Sequence, residues 1–158
     1  VILARIKYMT VDLNLIKQLR EETGASIADC KQALDDSNGD YTKAIAWLKK
    51  RGIEKAEKKA DRETSQGIVE AYVHGNGKIG VLVTLLCETD FVARTPEFKS
   101  LAHEIALQIS AMNPKDVKTL LSQEYIRDPQ MTIGELIKQA IGKLGENIVV
   151  REFTRHSL

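Results

Sequence analysis

Apolar residues recur three and four positions apart in the first third of the chain, then give way to runs and alternation after Gly67. From Asn14, Leu15, Ile16 and Leu19 are apolar while Lys17, Gln18, Arg20 and Glu21 are polar, which is the period of an amphipathic helix. Thr23-Gly24 stops it, with Gly24 suited to the left-handed position after a helix. Ser26 reads as the cap of a second helix, with Asp29 three residues on and Ile27, Cys30, Ala33 and Leu34 on its inner face. Ser37-Asn38-Gly39 is a turn, and Asp40 caps a third helix that turns Ala44, Ile45 and Leu48 inward and ends at Gly52. Three short helices of this size make a marginal core alone, so the unit reads as a docking module.

The pattern then changes twice. Between 49 and 66, basic residues such as Lys49, Lys50, Arg51, Lys55, Lys58, Lys59 and Arg62 interleave with Glu54, Glu57, Asp61 and Glu63, which reads as a charged linker helix. From Gly67, Ile68 to Val73 read as a strand, His74-Gly75-Asn76-Gly77-Lys78 as a hairpin turn with the favoured Asn-Gly pair, and 79–87 as a returning strand buried on both faces. Thr95-Pro96-Glu97 starts a helix that runs to about residue 112 with Phe98, Leu101, Ala102, Ile105, Ile109 and Met112 on one stripe. Residues 115–129 are less regular. Thr132 and Glu135 form a capping box for another helix, with Leu136, Ile137, Ala140, Ile141 and Leu144 inward, and Gly145-Glu146-Asn147 turns into a last strand at 148–154. The expected fold is α+β: a three-helix module, a charged linker helix, then an antiparallel sheet with helices packed on one face. The domain reading is 1–9 a leader, 10–53 the docking module, 54–66 the linker helix and 67–158 the core domain. Residues 1–8 are apolar and basic with no acid, so Met9 reads as the native start and the residues before it as an added segment, an upstream reading or the end of a transit peptide.

Between the last apolar strand and the Thr95 helix start lies Cys87-Glu88-Thr89-Asp90-Phe91-Val92-Ala93-Arg94. A Phe in a short connection is either tucked onto the core or offered to a partner, and spacing alone leaves both open.

Composition narrows the function. The chain has 158 residues, 43% hydrophobic and 28% charged, which describes a folded protein. Its net charge of +1 excludes a strongly basic nucleic-acid binder. Two cysteines, Cys30 and Cys87, provide no disulfide framework and no metal-ligand spacing, and both read as reduced. No apolar run reaches the length of a membrane span. His74, His103 and His156 are far apart with no metal-like spacing, and Ser26, Ser65 and Ser110 lie in no nucleophile-elbow context. The glycines at 75–80 lack the setting of a phosphate loop. The chain reads as a binding protein with no catalytic residues, no metal and no cofactor.

Specific stretches resemble a known family. Leu19-Arg20-Glu21-Glu22-Thr23-Gly24-Ala25, Asp29-Cys30-Lys31-Gln32-Ala33-Leu34 and Asn38-Gly39-Asp40 look like the amino-terminal module of elongation factor Ts. His74-Gly75, Lys78-Ile79-Gly80-Val81-Leu82-Val83, Cys87-Glu88-Thr89-Asp90-Phe91-Val92-Ala93 and Gly145-Glu146-Asn147-Ile148 look like its core. The resemblance runs from about Met9 to the end. It implies a guanine-nucleotide exchange factor, not an enzyme, that binds elongation factor Tu and promotes GDP release by disturbing its Mg²⁺ and phosphate site. It implies a ubiquitin-associated-like module docking through Lys17, Leu19, Arg20 and Lys31. Thr89, Asp90, Phe91 and Val92 would form the exchange wedge, and His74 and Gly75 a second core contact. Longer family members carry two core copies and an inserted helical hairpin. This chain shows one copy and only a short 115–129 segment, so a homodimer is expected, with Phe91 of one chain and His74 of the other serving one partner. The implied location is the cytoplasm, or an organellar matrix or stroma. The competing readings are a ubiquitin-associated-type adaptor for another protein, and an RNA-binding accessory using the 49–62 segment, against which the mixed charge signs there argue.

Overall fold

The computed structural model describes residues 12–158; the leader reading and the Met9 start lie outside the described residues. The chain divides into two units between Arg51 and Gly52.

The first unit holds α1 (Leu13–Thr23), α2 (Ile27–Asp36) and the start of α3 (Tyr41–Glu57). The Asp12 and Ser26 side chains accept from the amides of Asn14 and Asp29, so each helix begins on an oxygen acceptor that satisfies a free N–H. Gly24, at φ 67, closes α1 in the left-handed conformation that its lack of a Cβ permits. Ile16, Leu19, Cys30, Ala33, Leu34, Ala44 and Leu48 form the core. The Tyr41 hydroxyl donates to Glu22 Oε2 at 2.6 Å and ties α3 to the end of α1. Ile27 departs from the inner face predicted for it: it is 56% exposed and stands outside the small core.

Gly52 does not end the third helix: α3 continues to Glu57, and residues 58–62 are turns, so no separate linker helix occupies 54–66. The glycine serves packing instead. A Cβ on Gly142 of α7 (Ile133–Leu144) would lie 2.8 Å from the Gly52 Cα, so two helices pass here backbone to backbone.

In the second unit, β1 (Gln66–His74), β2 (Ile79–Cys87) and β5 (Ile148–Ser157) form an antiparallel sheet in the order β1-β2-β5. Gly75, Asn76 and Gly77 all carry positive φ in the turn joining β1 to β2, the conformation an Asn-Gly turn supplies at low cost. α5 (Pro96–Met112) and α7 (Ile133–Leu144) cover one face of the sheet. Val81, Val83, Leu85 and Cys87 of β2 pack there against Phe98, Ile105 and Ile109 of α5 and Ile133, Ile137 and Ile141 of α7. β2 is therefore buried on one face, not two: Leu82 on the other face is 52% exposed. Its continuous apolar run hid an alternation that only the one-sided helix layer reveals. Met112, the last residue of the α5 stripe, is also exposed rather than inward.

Residues 115–129 contain structure that the pattern did not show. α6 (Val117–Ser122) is capped by Asp116, and β3 (Glu124–Tyr125) pairs with β4 (Asp128–Thr132). Gln108 of α5, fully buried, donates to the Glu124 carbonyl at 3.0 Å and accepts from the Ile126 amide at 3.0 Å. Glu104, one turn earlier, receives the Tyr125 hydroxyl at 2.7 Å and Arg127 Nε at 2.6 Å. Two α5 side chains thus hold the hairpin, in place of a period that could be read along it.

Candidate functional site

β2 ends at Cys87, whose side chain is the last of the inward row. The chain then turns through Glu88 and Thr89 into α4 (Asp90–Ala93), a single helical turn that sequence reading had taken as plain connection. Thr89 caps α4, its hydroxyl accepting from the Val92 amide. Thr95 and Pro96 then start α5, with the Thr95 hydroxyl accepting from the Phe98 amide at 3.2 Å. The turn is thus bounded by a buried strand on one side and a capped long helix on the other.

A one-turn helix between two anchored elements must choose which side chains face in. Ala93 is buried, and Val92 is half-buried against the core. Phe91 is 84% exposed, more than any other large apolar side chain among the described residues except the terminal Leu158. The two alternatives left open by spacing are therefore divided between neighbours: Val92 tucks back and Phe91 is offered outward. Thr89 and Asp90 are exposed beside Phe91, and Asp90 pairs with Arg94 at 2.8 Å across the turn.

The turn is held by residues distant in sequence. Glu146, just after α7, accepts from the amides of Glu88 at 3.1 Å and Thr89 at 3.0 Å, and from the Thr89 hydroxyl at 2.6 Å. The Asn147 amide donates back to Glu88 Oε1 at 2.7 Å. Its side chain donates to the Ala60 and Arg62 carbonyls, and Arg62 Nη1 lies 3.5 Å from Glu88 Oε1. Sequence reading placed Glu146 and Asn147 in a turn without assigning them this work; acceptors joining residues 57 apart leave no local signal.

The chemistry available is that of binding. Burial pushes the Cys87 thiol up, the Glu146 carboxylate adds to this, and the S–H donates to the Thr89 carbonyl at 3.1 Å. A thiol held protonated and already bonded is a poor nucleophile. No group of three His, Cys, Asp or Glu side chains among the described residues is placed to hold a metal. His103 pairs with Glu70 at 3.1 Å and meets Tyr72 edge to face.

The other predicted contacts lie elsewhere. His74 ends β1, its Nδ1 2.8 Å from the Tyr72 hydroxyl, and Gly75 follows at φ 60. His74 pairs with Ile79 at one end of β2, whereas Phe91 follows Cys87 at the other. At ~3.4 Å per residue the nine-residue strand separates them by roughly 27 Å, so the fold does not gather them into one patch. In the three-helix unit Lys17, Arg20 and Lys31 are exposed, with Lys17 4.0 Å from Glu21. Leu19 is fully buried in the core and offers no side-chain surface at this position. Ile27, one turn before Lys31 on α2, is exposed.

Over residues 88–158 the sequence matches the family described as Elongation factor TS. Elongation factor Ts of Coprothermobacter proteolyticus is 44% identical, with 95% of this chain and 99% of that protein covered. Elongation factor Ts of Rippkaea orientalis is 43% identical, covering 90% and 76%. That of Caldanaerobacter subterraneus subsp. tengcongensis is 41% identical, covering 92% and 95%. The first of these alignments spans 195 positions on a chain of 158 residues, so that relative carries internal positions that this chain lacks.

Proposed function

This chain belongs to the elongation factor Ts family of translation elongation factors, and from that premise we propose that it is a guanine-nucleotide exchange factor for elongation factor Tu. The observation that carries the reading is Phe91, exposed on a turn held between a strand end and a capped helix. Inserted beside the nucleotide site of the GTPase, the ring displaces the groups that hold Mg²⁺ and the phosphates, and GDP leaves. Burying a Phe contributes roughly 1.5–3 kcal/mol, which can be exchanged for distortion of that site. By linkage, GDP weakens the factor's binding by the same ratio as the factor weakens GDP binding. No bond is made or broken, so the chain lowers the barrier to release without being an enzyme of a chemical step. Lys17, Arg20 and Lys31, with the exposed Ile27 beside them, form the docking surface of the three-helix module at 10–53, and residues 67–158 act as the core domain.

We further propose that the working form is a homodimer with two GTPase molecules, in which Phe91 of one chain and His74 with Gly75 of the other serve one partner. Two features support this. Phe91 and His74 lie at opposite ends of β2. The sheet face away from the helices exposes Val69 at 65%, Val73 at 67%, Leu82 at 52% and Val149 at 40%, beside the polar Glu152, Thr154 and His156 of β5, and an uncovered patch of this kind suits a second sheet. The place of action is the cytoplasm, or the equivalent matrix or stroma of an organelle.

The intact chain, added in small amounts to elongation factor Tu loaded with labelled GDP, is expected to accelerate label release in the presence of excess nucleotide. Release at the intrinsic rate overturns the function. Sedimentation is expected to give twice the 17.6 kDa chain mass; a monomer that exchanges at full rate overturns the dimer alone.

A further inference from the structure

The wedge is a poor structure by itself. α4 has four residues, far below the length at which a helix is stable in water. What fixes its start is the Thr89 hydroxyl, and what fixes that hydroxyl is Glu146. Because the Thr89 O–H points at Glu146 Oε1, its lone pair is free to accept from the Val92 amide and cap the turn. Meanwhile Glu146 Oε2 collects the two amides leading into the turn, so one carboxylate occupies three donors of a single bend. The Asn147 amide returns a bond to Glu88, which makes the two segments reciprocal, and Asn147 is itself tied to 60–62. The base of the wedge is thereby joined to the end of α7 and the start of β5.

We propose that Glu146 is a positioning residue for nucleotide exchange, holding the Thr89 turn so that Phe91 enters the partner in a preset orientation. This rests on the exchange reading above. The reason is mechanical and entropic. A ring can displace groups in a partner only if its own base does not yield first. A turn ordered in advance also spares the entropy of ordering it at encounter.

The test uses the full chain and three readouts: the plateau rate of GDP release from elongation factor Tu, the half-saturating concentration, and hydrogen exchange of the Glu88 and Thr89 amides in the free protein. Glu146→Ala is expected to lower the plateau about tenfold or more while changing the half-saturating concentration less than about threefold, since small misplacements of a positioned group cost rate steeply. The two amides should exchange faster. Glu146→Gln is expected to restore most of the plateau: its amide oxygen can take both backbone N–H groups, and its NH₂ meets a hydroxyl able to accept. A plateau unchanged in Glu146→Ala, or amides that stay equally protected, overturns the proposal. So does a fall in plateau that disappears once rates are compared per folded molecule, with a lowered thermal midpoint and no recovery in Glu146→Gln, which is a purely structural role. If Glu146→Ala does not fold, Thr89→Val, which removes the linking hydroxyl, must lower the plateau instead. Phe91→Ala separates the two readings. If it exchanges normally while the amides of the wild-type chain are protected, the wedge assignment is at fault and not the clamp geometry.

Discussion

Phe91→Ala removes a side chain that the fold does not use. The ring is 84% exposed, so its loss should leave the unfolding free energy within about ±0.5 kcal/mol, the range of surface substitutions away from special features. Ala is also the better helix former, so α4 is not weakened by the change. The whole effect should therefore appear in exchange. Burial of a Phe in the partner is worth roughly 1.5–3 kcal/mol. At 1.36 kcal/mol per factor of ten, that is a loss of roughly 10- to 150-fold in release rate at low factor concentration. The assay is stopped-flow release of fluorescent GDP from elongation factor Tu against increasing concentrations of the chain, run beside thermal unfolding of the same preparation. Phe98→Ala supplies the contrast. Seven residues away and fully buried, it should cost about 3–5 kcal/mol of stability. A Phe91→Ala protein with an unchanged thermal midpoint and unchanged exchange would refute the reasoning, because nothing else on the turn can supply an apolar wedge. A large drop in midpoint would refute its premise, that Phe91 stands outside the core.

Arg20→Ala, at an exposed docking position, should raise the half-saturating concentration about two- to fivefold, the range of one exposed ion pair, with the difference shrinking as salt is added; equal curves in low salt refute the docking role. Gly142→Ala should lower the urea midpoint by the equivalent of about 1–3 kcal/mol, although Ala favours helices, because its Cβ would lie 2.8 Å from the Gly52 backbone. A more stable variant would show that the two helices do not meet there. Burial, and then the Glu104 carboxylate it donates to, push the Tyr125 hydroxyl up to about 12 from 10.0. Stability from this site is whole below pH 10 and falls as pH rises toward 12, since the unfolded chain ionises there while the folded one resists. Tyr125→Phe should therefore flatten the loss of thermal midpoint between pH 10 and 12; an unchanged alkaline slope refutes it.

Much of this protein is legible in the order of its residues. Helix starts were readable because a cap is local: Ser26, Thr95 and Thr132 each satisfy an amide three positions on, and the chain states both partners together. The hairpin was readable for the same reason, from Asn76-Gly77 between two apolar runs. The family resemblance is carried by consecutive residues, most sharply by the 87–94 stretch. What failed were readings that depend on what lies opposite. Gly52 looked like a stop and is a contact, because its meaning is set by Gly142 ninety residues later. β2 looked buried on both faces, because a run of apolar residues does not say that helices cover only one. Leu19 matched a docking motif but fills the core, and Ile27 matched a core stripe but faces water.

The same division runs through the turn at Phe91. Its presence, its cap and the helix that follows it are properties of eight or ten consecutive residues, and those are determined by local sterics and hydrogen bonding. Which of Phe91 and Val92 faces out is decided by the packing of α4 on the sheet and α5. That the turn is held at all is decided by Glu146 and Asn147, brought to it by the pairing of β5 with β2. Local bonds close within a few residues and leave their mark in the chain order; bonds closed by tertiary folding leave none until the sheet has formed.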